Sequence, residues 1–312
     1  MKPYAALFPG QGAQHPGMGK DLAAASEPAA AAFREAGAAV GFDLESLCFG
    51  GTADELARTE ITQPAILTHA VAEYRAYAAR GGAPPAAAAG HSLGEYAAHV
   101  IADTLSLSEA VRSVHRRGRF MQEAVPEGVG AMAAVLGIDR EALVAICAAQ
   151  AQGEVVSCAN FNAPGQIVIS GHAGAVDRAV AAAVASGAKR AMRLAVSAPF
   201  HCALMEPAAV RLRPVLAEVA FRDPALPVYT NADAAPVRTA AAARDALVRQ
   251  VVAPVLWEDE ILRMVSDGID TFVEFGPGKV LAGLVRRIHA AATVVSAGDP
   301  AGVDAALALV KA

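Results

Sequence analysis

The stretch PPAAAAGHSLGEYAAHVIA, residues 84–102, decides the predicted fold of this chain. A short alanine run reaches Gly90, a glycine-rich turn follows, and the residues from Leu93 onward have the composition of a helix. Alanine does not favour strands, so the strand before the turn is the weaker part of this prediction. A strand, a tight turn and a helix in this order form the repeating unit of a parallel α/β sheet.

The same alternation recurs towards both ends of the chain and predicts a parallel α/β sheet covered on both faces. Pro64 falls near the first turn of one predicted helix, a position that tolerates proline. The predicted segments are strands at 4–8 and 271–275 and helices that begin near 18, at 61–80 and at 279–291.

The middle of the chain follows a different order, β-α-β-β-α-β, which is the ferredoxin-like pattern. A helix at 139–150, with Asp139 as its N-cap, separates the first two short strands. We therefore predict an inserted ferredoxin-like subdomain at 130–196, within a larger α/β domain built from residues 1–129 and 197–312.

Composition excludes several classes of protein. The chain has 312 residues, is 54% hydrophobic and carries a net charge of −5, with no long basic tract, so nucleic acid is not an expected partner. Its apolar runs are rich in alanine and interrupted by charges, which argues against a membrane protein. Four widely spaced cysteines indicate reduced thiols, and the early Pro and Gly residues do not fit a signal peptide, so we expect a cytoplasmic protein.

Ser92 lies at the centre of a Gly-x-Ser-x-Gly motif formed with Gly90 and Gly94. In a nucleophile elbow, such glycines leave room for a sharp turn that presents a serine at a helix N-terminus. The backbone amide of Leu93 would then help to stabilise an oxyanion. An ordinary glycine turn with an incidental hydroxyl is the alternative, because the motif is short.

A serine hydroxyl needs a base to become a good nucleophile. His91 is adjacent to Ser92, but neighbouring side chains diverge on a sharp turn, so we interpret it as a support for that turn. His201 follows Pro199 at a predicted break between a strand and a helix, where its side chain can return to a cleft. His201 is the predicted base, and a structural histidine is the alternative.

Arg117 lies on the apolar face of a predicted helix at 109–124. Ala110, Val114 and Met121 share that face at helical spacing. A guanidinium facing a core is costly unless it is paired with an anion. Its partner is either an internal Asp or Glu or, as a functional alternative, the carboxylate of a substrate.

Two glycine-rich loops are further candidates for anion binding. The loop at 8–19 fails as a dinucleotide-binding or phosphate-binding motif, but it could provide a backbone amide to an oxyanion site. The loop at 274–281 is either a second anion loop or a plain turn. No group of residues has the spacing of a metal site.

These motifs together resemble the malonyl-CoA:acyl carrier protein transacylase family, in the family's order and over nearly the whole chain. The resemblance implies an α/β-hydrolase-like large domain interrupted by a ferredoxin-like subdomain. The matching motifs are FPGQGAQ (8–14), TQPAILT (62–68), GHSLGEYAA (90–98), RRGRFMQEAVPEGVGAMAAVLG (116–137), NFNAPGQIVISG (160–171), SAPFHCALM (197–205), LVRQVVAPVLW (247–257) and EFGPGKVLAGL (274–284).

The resemblance also implies a role for each matching residue. A serine and a histidine would form a dyad in which a main-chain carbonyl replaces the usual acid. The implied roles are nucleophile for Ser92, general base for His201, oxyanion-hole amides for Gln11 and Leu93, malonyl-carboxylate binding for Arg117, orientation of the histidine by the carbonyl of Gln250, pocket lining for Gln63, and exclusion of an α-methyl group by Phe200.

The implied activity is transfer of a malonyl group from malonyl-CoA to acyl carrier protein in fatty acid biosynthesis, without a cofactor. Arg116 and Arg119 would supply a basic patch for the acidic carrier. A free-standing polyketide acyltransferase and a malonate decarboxylase transferase subunit remain possible within the family. A serine esterase or thioesterase and a non-catalytic docking subunit are the alternatives of other classes. We expect a monomer.

Overall fold

The computed structural model describes residues 3–311, and the outermost ends of the predicted large domain, residues 1, 2 and 312, lie outside them. The strands are β1 (Ala5–Phe8), β2 (Ala87–Gly90), β3 (Gly130–Leu136), β4 (Val156–Ala163), β5 (Gln166–His172), β6 (Arg190–Arg193), β7 (Val228–Thr230), β8 (Ala235–Val237), β9 (Thr271–Glu274) and β10 (Thr293–Ser296). The helices are α1 (Lys20–Ala25), α2 (Glu27–Val40), α3 (Leu44–Gly50), α4 (Ala53–Ala57), α5 (Thr59–Ala79), α6 (Gly94–Ile101), α7 (Leu107–Glu123), α8 (Arg140–Ala151), α9 (Ala173–Ala185), α10 (Glu206–Ala217), α11 (Ala240–Arg249), α12 (Trp257–Ser266), α13 (Val280–Ile288) and α14 (Pro300–Lys311), with a 3₁₀ turn at Ala203–Met205.

The larger sheet has six strands in the order β10-β9-β1-β2-β7-β8. All neighbouring strands are parallel except β8, which returns antiparallel to β7 at one edge. Ala5 of β1 pairs with Ala87 of β2, so the alanine run forms a strand in spite of its low propensity. Its burial between two layers of helices outweighs that propensity.

Helices cover both faces of this sheet, as the alternation predicts. Ala6 and Phe8 of β1 pack into one core with α2, α5 and α7, whereas Ala5 and Leu7 pack into a second core with α12 and α13. Successive side chains of a strand point to opposite faces, and strands buried on both faces are apolar throughout.

The smaller sheet is separate and antiparallel, with the strand order β4-β5-β3-β6. Helices α8 and α9 complete a third core against it. The side chain of Asp139 accepts hydrogen bonds from backbone N–H groups in the first turn of α8, so Asp139 is the N-cap of this helix, as predicted. The prediction of a mixed α/β fold with a parallel sheet and a separate second sheet is confirmed.

The two sheets meet beside the elbow. Asn160 of β4 forms an isolated parallel bridge with Val255, and the segment after β6 runs without regular structure to His201. The last strand of the predicted 130–196 subdomain is β6, and it ends at Arg193, three residues before the predicted boundary. No helix within residues 3–311 combines the length and the apolar character needed to cross a membrane.

Candidate active site

Ser92 occupies the tight turn between β2 and α6. Its φ of 52° is in the left-handed region, which is unfavourable for a residue with a side chain. The flanking glycines permit this turn: a Cβ on Gly90 would lie 1.9 Å from the carbonyl carbon of Gly94, and a Cβ on Gly94 would lie 2.1 Å from the oxygen of Phe8. The turn therefore has the geometry predicted for a nucleophile elbow.

Asn231, which the sequence analysis missed, holds this elbow from behind. Its Oδ1 accepts from the backbone N–H of Ser92 at 2.6 Å, and its Nδ2 donates to the oxygen of Gly90 at 2.8 Å. Asn231 is fully buried at the end of β7, where parallel strands present side chains at one edge of the sheet. The available signal was an asparagine directly after the short run VYT at 228–230, which has the composition of a strand.

The side chain of His201 lies within hydrogen-bond distance of Ser92, although the two residues are far apart in the sequence. Its Nε2 lies 2.8 Å from Oγ of Ser92, and its Nδ1 lies 2.9 Å from the main-chain oxygen of Gln250. Because that carbonyl can only accept, Nδ1 carries the proton and Nε2 is free to accept one. Burial, with the positive charge of Arg117 as a second cause, lowers the pKa of His201 to about 3, so its imidazole is neutral at pH 7.

Arg117 is buried on α7, only 1% exposed, together with Ala110, Val114 and Met121. Its Nη2 donates to Oγ of Ser92 at 3.1 Å and to Oε1 of Gln250 at 2.9 Å. Its Nη1 donates to Oε1 of Gln63 at 2.8 Å. Every one of these acceptors is neutral.

Within residues 3–311, no Asp or Glu oxygen forms a salt bridge with Arg117, and its Nε has no hydrogen-bond partner. Burial lowers the pKa of Arg117 from its usual value, yet an arginine keeps its charge near neutral pH. Of the two alternatives from the sequence, an internal carboxylate partner is therefore wrong. The guanidinium is a buried cation held by amides and a hydroxyl.

These groups open onto a cavity of about 280 Å³. All of the predicted site residues line it except Gln250, which lies behind Arg117 and His201. The predicted residues on its wall are Gln11, Gln63, Ser92, Leu93, Arg117, Phe200 and His201.

Gln11 and Leu93 line the same cavity as Ser92 and are the residues predicted to supply oxyanion-hole amides. In the part of the chain that the structure describes, the N–H groups of Gln11 and Leu93 donate to no protein acceptor, although both residues line the cavity. Leu93 caps the N-terminal end of α6, where the helix dipole favours a developing negative charge.

The other sequence candidates have structural roles. His91, interpreted as a support for the turn, has its Nε2 2.8 Å from Oδ1 of Asn162 and its ring 5.7 Å from that of Trp257. In the 274–281 loop, the side-chain oxygens of Glu274 accept from the backbone N–H groups of Leu281 and Ala282, so an internal carboxyl group already occupies that helix end. The described residues contain no cluster of side chains able to hold a metal ion.

Glu95, the other residue that sequence reasoning missed, is completely buried on α6. Its Oε2 accepts from Nε2 of Gln250 at 2.7 Å and from the backbone N–H of Asn231 at 2.9 Å. A carboxylate on an apolar helix was the signal, because it violates the helix pattern in the same way as Arg117 does.

An elbow serine, a neutral imidazole and a buried guanidinium around one cavity are typical of enzymes that carry an acyl group on serine. Residues 6–300 match the family model described as the acyl transferase domain. The chain therefore belongs to the acyl transferase domain family, and its resemblance to the malonyl-CoA:acyl carrier protein transacylases is confirmed.

The chain is 50% identical to the malonyl CoA-acyl carrier protein transacylase of Escherichia coli K12, with 99% of this chain and 100% of that protein covered. The structure of the malonyl CoA-acyl carrier protein transacylase of Coxiella burnetii matches with a TM-score of 0.98 and 42% identity, over 100% of this chain and 98% of that one. A malonyl-transacylase solved in complex with its type II PKS acyl-carrier protein matches with a TM-score of 0.97 and 45% identity, over 99% and 100% of the two chains.

Proposed function

We propose that this enzyme transfers the malonyl group of malonyl-CoA to the phosphopantetheine thiol of acyl carrier protein, in fatty acid biosynthesis. The observation that carries the proposal is the contact between Arg117 and Ser92, at 3.1 Å, together with a guanidinium that has no Asp or Glu partner among residues 3–311. A substrate that places a thioester at the serine can place a carboxylate at the arginine. Malonyl-CoA has both groups.

In the first half-reaction, Nε2 of His201 takes the Oγ proton while Oγ of Ser92 bonds to the thioester carbon. The amides of Gln11 and Leu93 stabilise the oxyanion, and loss of one such donor typically slows a reaction by ~10²–10³-fold. The carbon–sulfur bond then breaks, and the coenzyme A thiolate takes the proton from His201. A malonyl-serine ester remains.

In the second half-reaction, the thiol of the carrier's phosphopantetheine gives its proton to His201 and attacks the ester carbonyl. The carbon–oxygen bond breaks, Ser92 recovers its proton, and malonyl-acyl carrier protein leaves. The carbonyl of Gln250 fixes the ring of His201 in both steps. The reaction needs no cofactor beyond the group that the carrier brings.

In our proposal, residues that line the cavity select the acyl group. Arg117 favours a carboxylate, because a neutral acyl group leaves the buried cation without an anionic partner. Gln63 holds one nitrogen of that guanidinium, and the ring of Phe200 occupies space that an α-methyl group would need.

The type of carrier is the open alternative within the family. The match to a malonyl-transacylase bound to a type II PKS acyl-carrier protein favours a polyketide carrier as the second candidate. For the docking of either carrier we keep the basic side chains of Arg116 and Arg119 as the proposed contact.

We extend the proposal to the organisation of the protein. The order β4-β5-β3-β6 supports a ferredoxin-like description of residues 130–196. The strand–elbow–helix at Ser92 supports an α/β-hydrolase-like description of the domain formed by 1–129 and 197–312. We propose a cytoplasmic monomer.

The proposal is tested by intact-mass analysis after incubation with malonyl-CoA. We expect one malonyl group on the wild type and on Ser108→Ala, and none on Ser92→Ala. Ser108 is a serine of α7 that bonds Glu35 away from the cavity. A labelled Ser92→Ala protein would contradict the assignment of the nucleophile.

A hydrolase is distinguished by coenzyme A release. We expect one rapid turnover per enzyme without carrier protein and continuous release with it. Continuous release at equal rates in both cases would indicate a thioesterase.

A further inference from the structure

We infer that Glu95 is a positioning residue that determines substrate specificity: through the side-chain amide of Gln250, its carboxylate sets how strongly Arg117 binds the carboxylate of the acyl group. This inference rests on the proposed function. It concerns a residue that touches neither the serine hydroxyl nor the cavity.

A chain of two hydrogen bonds joins the carboxylate to the guanidinium. Oε2 of Glu95 accepts from Nε2 of Gln250 at 2.7 Å, and Oε1 of Gln250 accepts from Nη2 of Arg117 at 2.9 Å. The amide is thereby oriented, with its N–H₂ towards the anion and its carbonyl towards the cation. All three side chains are at most 1% exposed.

Each end of this chain retains an unused atom. Oε1 of Glu95 and Nε of Arg117 have no hydrogen-bond partner among the described residues. The two opposite charges are thus separated by one amide, in surroundings where electrostatic interactions are stronger than in water. Tyr96 and Glu95 both act on Arg117 by raising its pKa against the lowering effect of burial.

A bound malonyl carboxylate would share this cation with Glu95. The two anions repel each other across Arg117. The ionised form of Glu95 therefore lowers the affinity for the malonyl carboxylate, and the bound carboxylate disfavours the ionised form of Glu95. A neutral acyl group produces neither effect.

Glu95 can change its charge in the physiological range. Burial raises the pKa of Glu95 to about 7, against the lowering effect of its hydrogen bonds and of Arg117. The other charged or titratable groups that face it are Asp233 after β7, Glu260 on α12 and Tyr96 on its own helix. Burial, with the negative charge of Glu95 as a second cause, raises the pKa of Glu260 well above its usual range.

Glu260 provides a matched control. It is equally buried and binds the same asparagine, with its Oε1 2.8 Å from Nδ2 of Asn231, but it has no bond to Gln250. Glu95→Gln removes the charge of Glu95 and keeps an oxygen that can accept the same two hydrogen bonds. Glu260→Gln makes the same change at the carboxyl group on the other side of Asn231.

The experiment measures binding of malonyl-CoA and acetyl-CoA between pH 6 and 8.5, in the Ser92→Ala background so that no chemistry follows. Acetyl-CoA has the same nucleotide, so the ratio of the two affinities cancels any effect of pH on the nucleotide itself. We expect the ratio of malonyl to acetyl affinity to fall roughly tenfold with rising pH. A tenfold fall corresponds to a rise of about one unit in the pKa of Glu95 when malonyl-CoA binds. The fall should persist with Glu260→Gln and disappear with Glu95→Gln.

Calorimetry tests the inference without a change at Glu95. In buffers of different ionisation enthalpy near pH 7.5, malonyl-CoA should take up a larger fraction of a proton than acetyl-CoA does. An equal fall of the affinity ratio in the Glu95→Gln protein, or equal proton uptake by the two ligands, would overturn the inference. Failure of malonyl-CoA to label the wild type would instead overturn the proposed function.

Discussion

Nη2 of Arg117 donates a hydrogen bond to the hydroxyl of Ser92 over 3.1 Å, and the same hydroxyl lies 2.8 Å from Nε2 of His201. The residue that selects the acyl group in our proposal thus touches the residue that carries it. The base that takes the proton of this hydroxyl is His201, and its contact with Ser92 does not depend on Arg117. A change at Arg117 is therefore expected to alter the choice of acyl group while the serine keeps its base.

Replacement of Arg117 should separate malonyl transfer from neutral acyl transfer. For Arg117→Ala we expect kcat/KM for malonyl-CoA to fall by ~10²–10³-fold, the effect of leaving a buried charge without its partner. Transfer of acetyl from acetyl-CoA should be retained or improved, because a neutral group no longer faces a buried cation. Rates of acyl-enzyme formation from the two thioesters measure this change.

Arg116→Ala is the matched control for this experiment. Arg116 is exposed on the same helix. The Arg116→Ala variant should keep both acylation rates within about twofold of the wild-type rates, as is usual for surface changes. An unchanged preference for malonyl-CoA in Arg117→Ala would contradict the assignment.

The acylation rate at saturating malonyl-CoA should be independent of pH between about 8 and 5. The pKa of His201 is lowered from 6.5 to about 3, chiefly by burial, so the imidazole remains a competent base until the pH approaches that value. A carboxylate bound to Arg117 removes part of the lowering, but burial remains. Rapid-quench intact-mass measurements test this, and a rate that halves near pH 6.5 would show that the base is not held neutral.

Gly118 should matter for Arg117 although it does no chemistry. A Cβ at Gly118 would lie 2.6 Å from the main-chain oxygen of Thr59, so glycine lets α7 approach α5 closely. Gly118→Ala should push the helices apart, lower the free energy of unfolding by about 1–3 kcal/mol and raise KM for malonyl-CoA. Thermal unfolding and acylation kinetics measure the two effects.

Gly283→Ala on α13 is the corresponding control. A Cβ there meets no atom within 4 Å, so the variant should be neutral or more stable by up to about 1 kcal/mol, the helix propensity difference. If both variants lose the same stability, close approach of α7 to α5 is not the cause.

The sequence by itself determined the local features of this protein. The elbow around Ser92, the βαββαβ order of residues 130–196 and the burial of Arg117 depend on turn chemistry and on periodicity over a few residues. Such patterns act over one or two turns of chain, which is why they can be read without coordinates. The resemblance to a family then added roles that no spacing provides.

Only the tertiary structure decided what surrounds Arg117. The sequence left an internal carboxylate and a substrate carboxylate as equal alternatives, and the folded chain places amides from Gln63 and Gln250, 54 and 133 residues away, on the guanidinium. Glu95 and Asn231 joined the site in the same way, across 136 residues. Contacts of this kind depend on how helices and strands pack, and packing is set by the shape of the whole core rather than by any local pattern.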